Sequence, residues 1–260
     1  MSEEVRTYEE EEVNLAVAMI HYHGTPISGA EAIVSRLLLS RFAFVSFARP
    51  DQMALVSETT AGFALDNGAF SFWKRQQEID WDLYRSWVLE WYRHPAYQFA
   101  ILPDVIGGSE EENDDLLQEY GLPGGVPVFH QGESLERLER LAGQYSRVAL
   151  GATEAHIPSE TFYSWLDDCM TVLCDGEGKP KVRIHGLRML NPEIFQRYPF
   201  SSCDSTNLGQ NYNTPARWAG TYNPVGPEMR GMVLRDRIES FQAPCRFEPP
   251  RYQQISLFAS

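Results

Sequence analysis

Cysteines are few in this sequence, and their spacing excludes zinc-ribbon and disulfide-rich classes. The four are Cys169, Cys174, Cys203 and Cys245, which form neither a Cys-x-x-Cys pair nor a zinc-ribbon pattern. A chain of 260 residues buries a core large enough to fold without disulfide or metal cross-links. We therefore expect reduced thiols, as is usual in the cytoplasm, with Cys169 and Cys174 in the core.

Long apolar runs are also missing. No stretch approaches the roughly 20 apolar residues that a membrane-spanning helix needs. The N-terminus is acidic, whereas a signal peptide is basic and then apolar. We therefore predict a cytoplasmic protein with no membrane partner.

Positive charge is scarce: 22 Lys and Arg residues stand against 36 Asp and Glu residues, which gives a net charge of −14. We interpret residues 1–12 as an acidic tail ahead of one domain that spans residues 13–260. Because phosphate attraction supplies most sequence-independent affinity for nucleic acid, such a partner requires a local basic patch. The candidates for this patch are Arg41, Arg49, Arg217, Arg230, Arg235 and Arg237.

Short β-rich runs alternate with helix-like stretches along the whole chain. The eight runs are Leu15–His21, Phe42–Phe47, Gly62–Asp66, Phe99–Asp104, Val126–His130, Arg147–Gly151, Lys181–Gly186 and Phe200–Asp204. Most are continuously apolar, which is typical of parallel strands covered on both faces. Eight βα repeats in a chain of this length predict an α/β fold, a single-domain TIM-type (β/α)₈ barrel that ends in a C-terminal loop and helix.

Carboxylates stand where such a barrel places its chemistry. The active site of a parallel barrel lies at the carboxyl ends of the strands, and Asp66, Asp104 and Asp204 each close a β-rich run. Any one of them could be a helix N-cap. Three carboxylates directed at one cavity instead suit acid/base and nucleophilic chemistry at a sugar carbon. Burial would raise the pKa of such a carboxyl unless hydrogen-bond donors surround it.

Taken in order, several segments resemble the tRNA-guanine transglycosylase superfamily, and within it the shorter 7-deazaguanine DNA transglycosylases of phages and bacterial genomic islands. That family has an Asp-Ser-Gly-Gly-Phe-Gln turn, a base-reading aspartate, Val-Gln-Gly and Gly-Gly-Leu segments, a Met-Gly or His-Gly element and a late nucleophilic aspartate. The similar segments here are Asp66–Ser71, Leu102–Asp104, Phe129–Gly132, Ala149–Gly151, Ile184–Gly186 and Cys203–Ser205. The ordered set covers residues 65–207, over half the chain.

The resemblance implies an enzyme that replaces guanine in nucleic acid with a 7-deazaguanine base and needs no cofactor. Carried over, Asp204 would be the nucleophile at C1′ and Asp66 the general acid/base. The residues implied to bind the base are Asp104, Gln131, Gly151, Phe70, His185 and Asn67. The chain lacks the Cys-x-Cys-x-x-Cys zinc segment of the tRNA-acting members, which favours DNA over tRNA as the substrate. No protein partner is implied.

Two alternatives stay open. His21-x-His23 at the end of the first run, together with Asp204 on the last, also fits a metal-dependent amidohydrolase, in which imidazoles and a carboxylate hold zinc. The other alternative is a barrel that binds a base or a partner without catalysis, although such a protein has no need for three convergent carboxylates.

Overall fold

The computed structural model describes residues 18–153, 159–214, 218 and 220–249. In this part of the chain, parallel strands alternate with helices and form one α/β domain of the TIM-barrel type. The predicted fold class is therefore confirmed. The predicted acidic tail, residues 1–12, lies outside the described residues.

The barrel closes through a strand that is interrupted by a proline. The strands are β1 (Ile20–Thr25), β2 (Phe42–Ser46), β3 (Gly62–Asp66), β4 (Tyr97–Ile101), β5 (Gly125–Val126), β6 (Val128–His130), β7 (Arg147–Gly151), β8 (Arg183–Gly186) and β9 (Ser202–Ser205). Their order in the sheet is β5-β4-β3-β2-β1-β9-β8-β7-β6. On either side of the interruption, the Val126 carbonyl accepts from Leu102 N and the Pro127 carbonyl from Ala149 N. Because β5 and β6 are one stretch of chain, the sheet closes into a ring.

Helices cover the outside of this ring. They are α1 (Glu31–Leu38), α2 (Met53–Thr59), α3 (Ala69–Arg75), α4 (Trp81–Trp91), α5 (Glu110–Glu119), α6 (Leu135–Gln144), α7 (Glu160–Leu173), α8 (Pro192–Phe195), α9 (Asn207–Asn211) and α10 (Pro227–Glu239). The N-caps of α6, α7 and α8 are Ser134, Ser159 and Asn191. Each side chain accepts a hydrogen bond from a backbone amide of the first turn, which satisfies a donor that the helix leaves unpaired. No helix of the described residues is both long and apolar enough to cross a membrane.

Two apolar layers hold the barrel together. Inside the ring, Tyr22, Phe44 and Phe99 pack around the buried imidazole of His185. Outside it, strands and helices share a larger core that includes the fully buried Tyr84 and Val88 of α4, as well as Cys169 of α7. Burial of each large apolar side chain contributes about 1.5–3 kcal/mol to folding. The interior aromatic layer forms a solid floor on which the site is built.

Some predicted boundaries are wrong. The first strand begins at Ile20 and continues to Thr25, because Gly24 and Thr25 still pair with Phe44 and Val45 of β2. The start of the predicted Leu15–His21 run lies outside the described residues. After Asn207 the sequence predicts a long loop and a helix from Gly231 to Phe241. The structure has the short α9 there, and α10 begins earlier, at Pro227, since proline is well suited to a first helical position.

Candidate active site

A cavity of about 690 Å³ opens at the carboxyl ends of the strands, within the range of small-molecule sites. Asp66 ends β3, Asp104 follows β4, and Asp204 lies near the end of β9. All three line this cavity. The strands that carry them are distant in the sequence, and closure of the barrel brings their ends around one opening. The carboxylates therefore converge as predicted.

A tight turn holds Asp66 at the cavity wall. Gly68 has a φ of +79°, and a Cβ at this position would lie 2.9 Å from the backbone nitrogen of Ala48. Only glycine fits both the left-handed conformation and this close approach. The Gly68 amide then donates to Asp66 Oδ2 over 3.2 Å. The Asp-Asn-Gly sequence thus fixes where the carboxyl points.

The surroundings of Asp66 shift its titration strongly. Burial raises the pKa of Asp66 to about 7, and the charges of Asp204 and Asp104 act in the same direction. The hydroxyl of Ser46 and the amide of Gly68 act against the shift. Near neutral pH both protonation states of Asp66 are populated, which is the property that a general acid/base needs.

Asp104 is buried and forms a polar edge with two neighbours. Asn67 Nδ2 donates to Oδ1 of Asp104, and His130 Nε2 lies 2.8 Å from Oδ2. Asn67 is fixed in turn, because it donates to the Leu102 carbonyl over 2.7 Å and accepts from Ala69 N over 2.9 Å. Burial alone would lower the pKa of His130, but Asp104 outweighs burial and holds that pKa above its usual value. The result is a rigid hydrogen-bonding edge on one wall.

Two neighbouring groups, the Arg188 amide and the His185 ring, fix one oxygen of Asp204. The Arg188 amide donates to its Oδ1 over 2.9 Å, and His185 Nε2 lies 3.4 Å from the same oxygen. Burial lowers the pKa of His185, and its other nitrogen lies 2.8 Å from the Ser202 hydroxyl. Among the described residues no donor contacts Oδ2 of Asp204. One carboxylate oxygen therefore stays available for bond formation.

The predicted base-binding residues divide into three groups. Those that line the cavity are Asp104, Asn67, Phe70 and Gly151. His185 is completely buried beneath it, where its Nε2 lies 3.4 Å from Asp204 Oδ1. Gln131 is exposed and does not line this cavity. His130 lines the cavity instead, since consecutive side chains at a strand end point to opposite sides.

Arg188 is a site residue that sequence analysis missed. Its guanidinium lies 3.9 Å from the centroid of the Phe70 ring, so it covers a face of the ring that was predicted to stack on a base. Its backbone adopts a φ of +60°, which is uncommon for a side chain of this size. Burial lowers the pKa of Arg188, while Asp204 and Asp66 act to raise it. A planar cation therefore stands beside both catalytic candidates and offers a surface for a flat ring.

Most arginines of the predicted basic patch serve the fold instead. The engaged ones are Arg41 with Glu239, Arg230 with Asn213 and Asn223, Arg235 with Asp236 and the Leu37 carbonyl, and Arg237 over the Trp218 ring. Arg217 lies outside the described residues. Arg49 does line the cavity, and Lys74, Arg75 and Arg188 join it there.

A buried ion-pair network supports the Asp104 side of the site. Arg137 is 1% exposed and binds Asp114 and Glu133 at 2.8 and 2.7 Å. Glu133 also accepts from the backbone amide of His130 over 2.8 Å and from Asn113 over 3.2 Å. The network thereby orders the chain that carries His130.

We predict that Arg137→Ala lowers the free energy of unfolding by about 3–5 kcal/mol, because Glu133 would stay buried without its counter-charge. The matched control is Arg140→Ala. Arg140 pairs with the same Asp114 at 2.9 Å but is half exposed, and such pairs contribute about 0–1 kcal/mol. Urea unfolding of both variants measures the difference, and equal losses would contradict the account of this network.

His21 and His23 do not reach the cavity, so the zinc-hydrolase alternative lacks its ligands. In the β1–β9 register Tyr22 stands opposite Asp204, which places the two histidines on the outer face. There His21 Nε2 lies 2.9 Å from the Phe241 carbonyl and His23 Nε2 lies 2.9 Å from Glu239 of α10. Within the residues that the structure describes, no group of three or more His, Cys, Asp or Glu is arranged to hold a metal ion.

The cavity thus combines a titratable carboxyl, a carboxylate with an open oxygen, a polar edge and a planar cation. No protein-family model and no curated protein matches this chain. Its chemistry is therefore inferred from these residues and from the order of their motifs.

Proposed function

We propose that this protein is a transglycosylase that exchanges guanine in nucleic acid, DNA rather than tRNA, for a 7-deazaguanine base. The observation that carries the proposal is the pair Asp66 and Asp204, two carboxylates of one cavity in different surroundings. Asp66 titrates near neutral pH and suits proton transfer. Asp204 has an oxygen without a hydrogen bond from the described residues and suits attack on carbon.

In the first step, Oδ2 of Asp204 attacks C1′ of the target nucleotide and forms an ester-like glycosyl bond. The C1′–N9 bond breaks, and its electron pair passes to the leaving guanine, which takes a proton from Asp66. In the second step, the carboxylate of Asp66 removes a proton from the incoming base. That base attacks C1′, and Asp204 leaves as a carboxylate. The Asp204 carboxylate stabilises the positive charge that develops on the sugar, and His185 and the Arg188 amide hold its other oxygen in place.

The Asp104 edge suits the base. A carboxylate offers about four acceptor sites, and Asn67 and His130 occupy one on each oxygen. The remaining lone pairs can accept from the adjacent N1–H and N2–H groups of guanine, which a 7-deazaguanine retains. Adenine has a hydrogen-bond acceptor at N1. Placed against the Asp104 carboxylate, which is also an acceptor, it would form no hydrogen bond there. The edge thereby selects guanine-type rings and makes no demand on position 7.

The proposal requires no cofactor, because one N-glycosidic bond replaces another and neither electrons nor phosphoryl groups are transferred. A target inside a duplex must be flipped out of the stack to reach the cavity, which costs a few kcal/mol. A single-stranded or unpaired target avoids most of that cost.

Isotope exchange tests the function. Purified protein is incubated with single-stranded DNA that contains one guanine and with nitrogen-15-labelled guanine, and the DNA is digested to nucleosides. We expect labelled deoxyguanosine by mass spectrometry, and a 7-deazaguanine nucleoside when that base is supplied. A DNA with adenine in place of guanine is the matched control. Absence of label in DNA and in an RNA of the same sequence would refute the function.

A further inference from the structure

The helix that follows the Asp66 turn carries an exposed aromatic residue and two cations at the cavity rim. Trp73 is 50% exposed, although burial of its ring would contribute favourably to the free energy of folding. Its ring lies 5.8 Å from the ring of Phe70, which lines the cavity. Lys74 and Arg75 follow directly and also line it. These three residues, with Arg49 on the neighbouring loop, form the α3 rim.

The charge of the α3 rim contrasts with that of the chain. The net charge is −14 and the cavity floor holds three carboxylates, yet the α3 rim gathers cations on one side of the opening. Arg49 pairs with Asp51 at 2.8 Å, whereas Lys74 and Arg75 pair with no acidic side chain of the described residues. Lys74 instead lies 5.3 Å from the Phe70 ring. Two exposed cations thus remain available to an anion at the entrance.

We propose that the α3 rim binds the single-stranded DNA that flanks the reacting nucleotide. In this arrangement Lys74 and Arg75 contact the phosphates next to the target, and Trp73 stacks on a neighbouring base. Proteins that bind single strands combine cations along the backbone with exposed aromatic rings. The inference rests on the proposed function, because the strand is positioned by the nucleotide that enters the cavity.

The size of the α3 rim favours a short single strand. A folded RNA or a long duplex is held by many phosphate contacts over a broad surface. Here the cations lie within one helix of seven residues and its neighbouring loop. By contrast, Arg41, Arg230 and Arg235 are engaged with other side chains of the protein. A rim of this extent covers a few nucleotides.

Binding of a fluorescein-labelled single-stranded DNA with one guanine, followed by anisotropy, tests the inference. We expect Lys74→Gln/Arg75→Gln to weaken binding about tenfold or more at low salt. The dependence of log K on log[salt] should flatten by about 1.4, since each phosphate contact on a single strand contributes about 0.7. The matched control is Lys181→Gln/Arg183→Gln, which changes the charge equally at the opposite end of the barrel, where β8 begins. Equal losses in both double variants would overturn the proposal.

Substitution of Trp73 separates stacking from charge. Trp73→Ala should weaken binding roughly five- to a hundredfold, and Trp73→Phe should restore most of it, with no change in the salt dependence. An RNA of the same sequence that binds more tightly than the DNA would overturn DNA as the partner. Normal binding without any exchange by the wild type would refute the function and leave the α3 rim supported.

Discussion

Replacement of Asp204 by asparagine is expected to lower the rate of base exchange at least about a thousandfold and to leave the fold unchanged. Asparagine keeps an oxygen that can accept the 2.9 Å hydrogen bond from the Arg188 amide, but it has no charged oxygen to attack C1′. The rate is measured by entry of labelled guanine into DNA, and the fold by circular dichroism and urea unfolding.

The control for this loss is Asp168→Asn. Asp168 is an exposed carboxylate of α7 that does not line the cavity, so its variant should exchange bases at the wild-type rate. If Asp204→Asn retained a rate within about tenfold of the wild type, the nucleophile would have to be another group.

Asp66 is expected to control the pH dependence of the reaction. Because its pKa is raised to about 7 by burial and by the neighbouring carboxylates, it donates a proton to the leaving guanine only in its neutral form. Release of guanine in a single turnover should therefore slow as the pH rises through about 7. Asp66→Asn cannot donate this proton, so its release of guanine should be slower by about 10²–10⁴-fold. The inflection near pH 7 in the plot of rate against pH should also be lost. An unchanged inflection in the variant would assign the titration to a different residue.

The same pKa predicts how stability varies with pH. The folded-state pKa of Asp66 lies above the ordinary value of 3.8, so the folded protein holds this proton more tightly than the unfolded chain does. Its contribution to stability is complete below pH 4 and is lost as the pH rises to about 7. Relative to Asp66→Asn, the wild type should lose up to about 4 kcal/mol over that window. A constant difference between their free energies of unfolding would contradict the raised pKa.

Much of the fold follows from local sequence pattern. Gly62–Asp66 and Arg147–Gly151 are strands with the predicted ends, because each is a short β-rich run bounded by turn residues or helix signals. The first strand is shifted, since pairing with β2 rather than apolar character decides where it ends. The short α3 escaped prediction because its seven residues lack a long periodic pattern.

The placement of the three aspartates could be predicted from the sequence, because it depends only on their position at the carboxyl ends of strands. Asp66, Asp104 and Asp204 line one cavity because the carboxyl ends of parallel strands meet at one face. The sequence does not show which side chain at the end of β6 faces the cavity, and in the structure His130 lines it while Gln131 does not. Arg188 gave no signal in the sequence, because its role depends on a left-handed backbone and on a distant phenylalanine beneath its guanidinium.

The central claim is that Asp204 forms a covalent bond with the sugar of a target nucleotide. The direct measurement is intact-protein mass spectrometry after a denaturing quench of the enzyme with guanine-containing DNA and no incoming base. We predict an added mass equal to the DNA without guanine, located by peptide mapping on the segment that contains Asp204, and absent from Asp204→Asn. An adduct on a different residue, or guanine release with no adduct at any time, would contradict the claim.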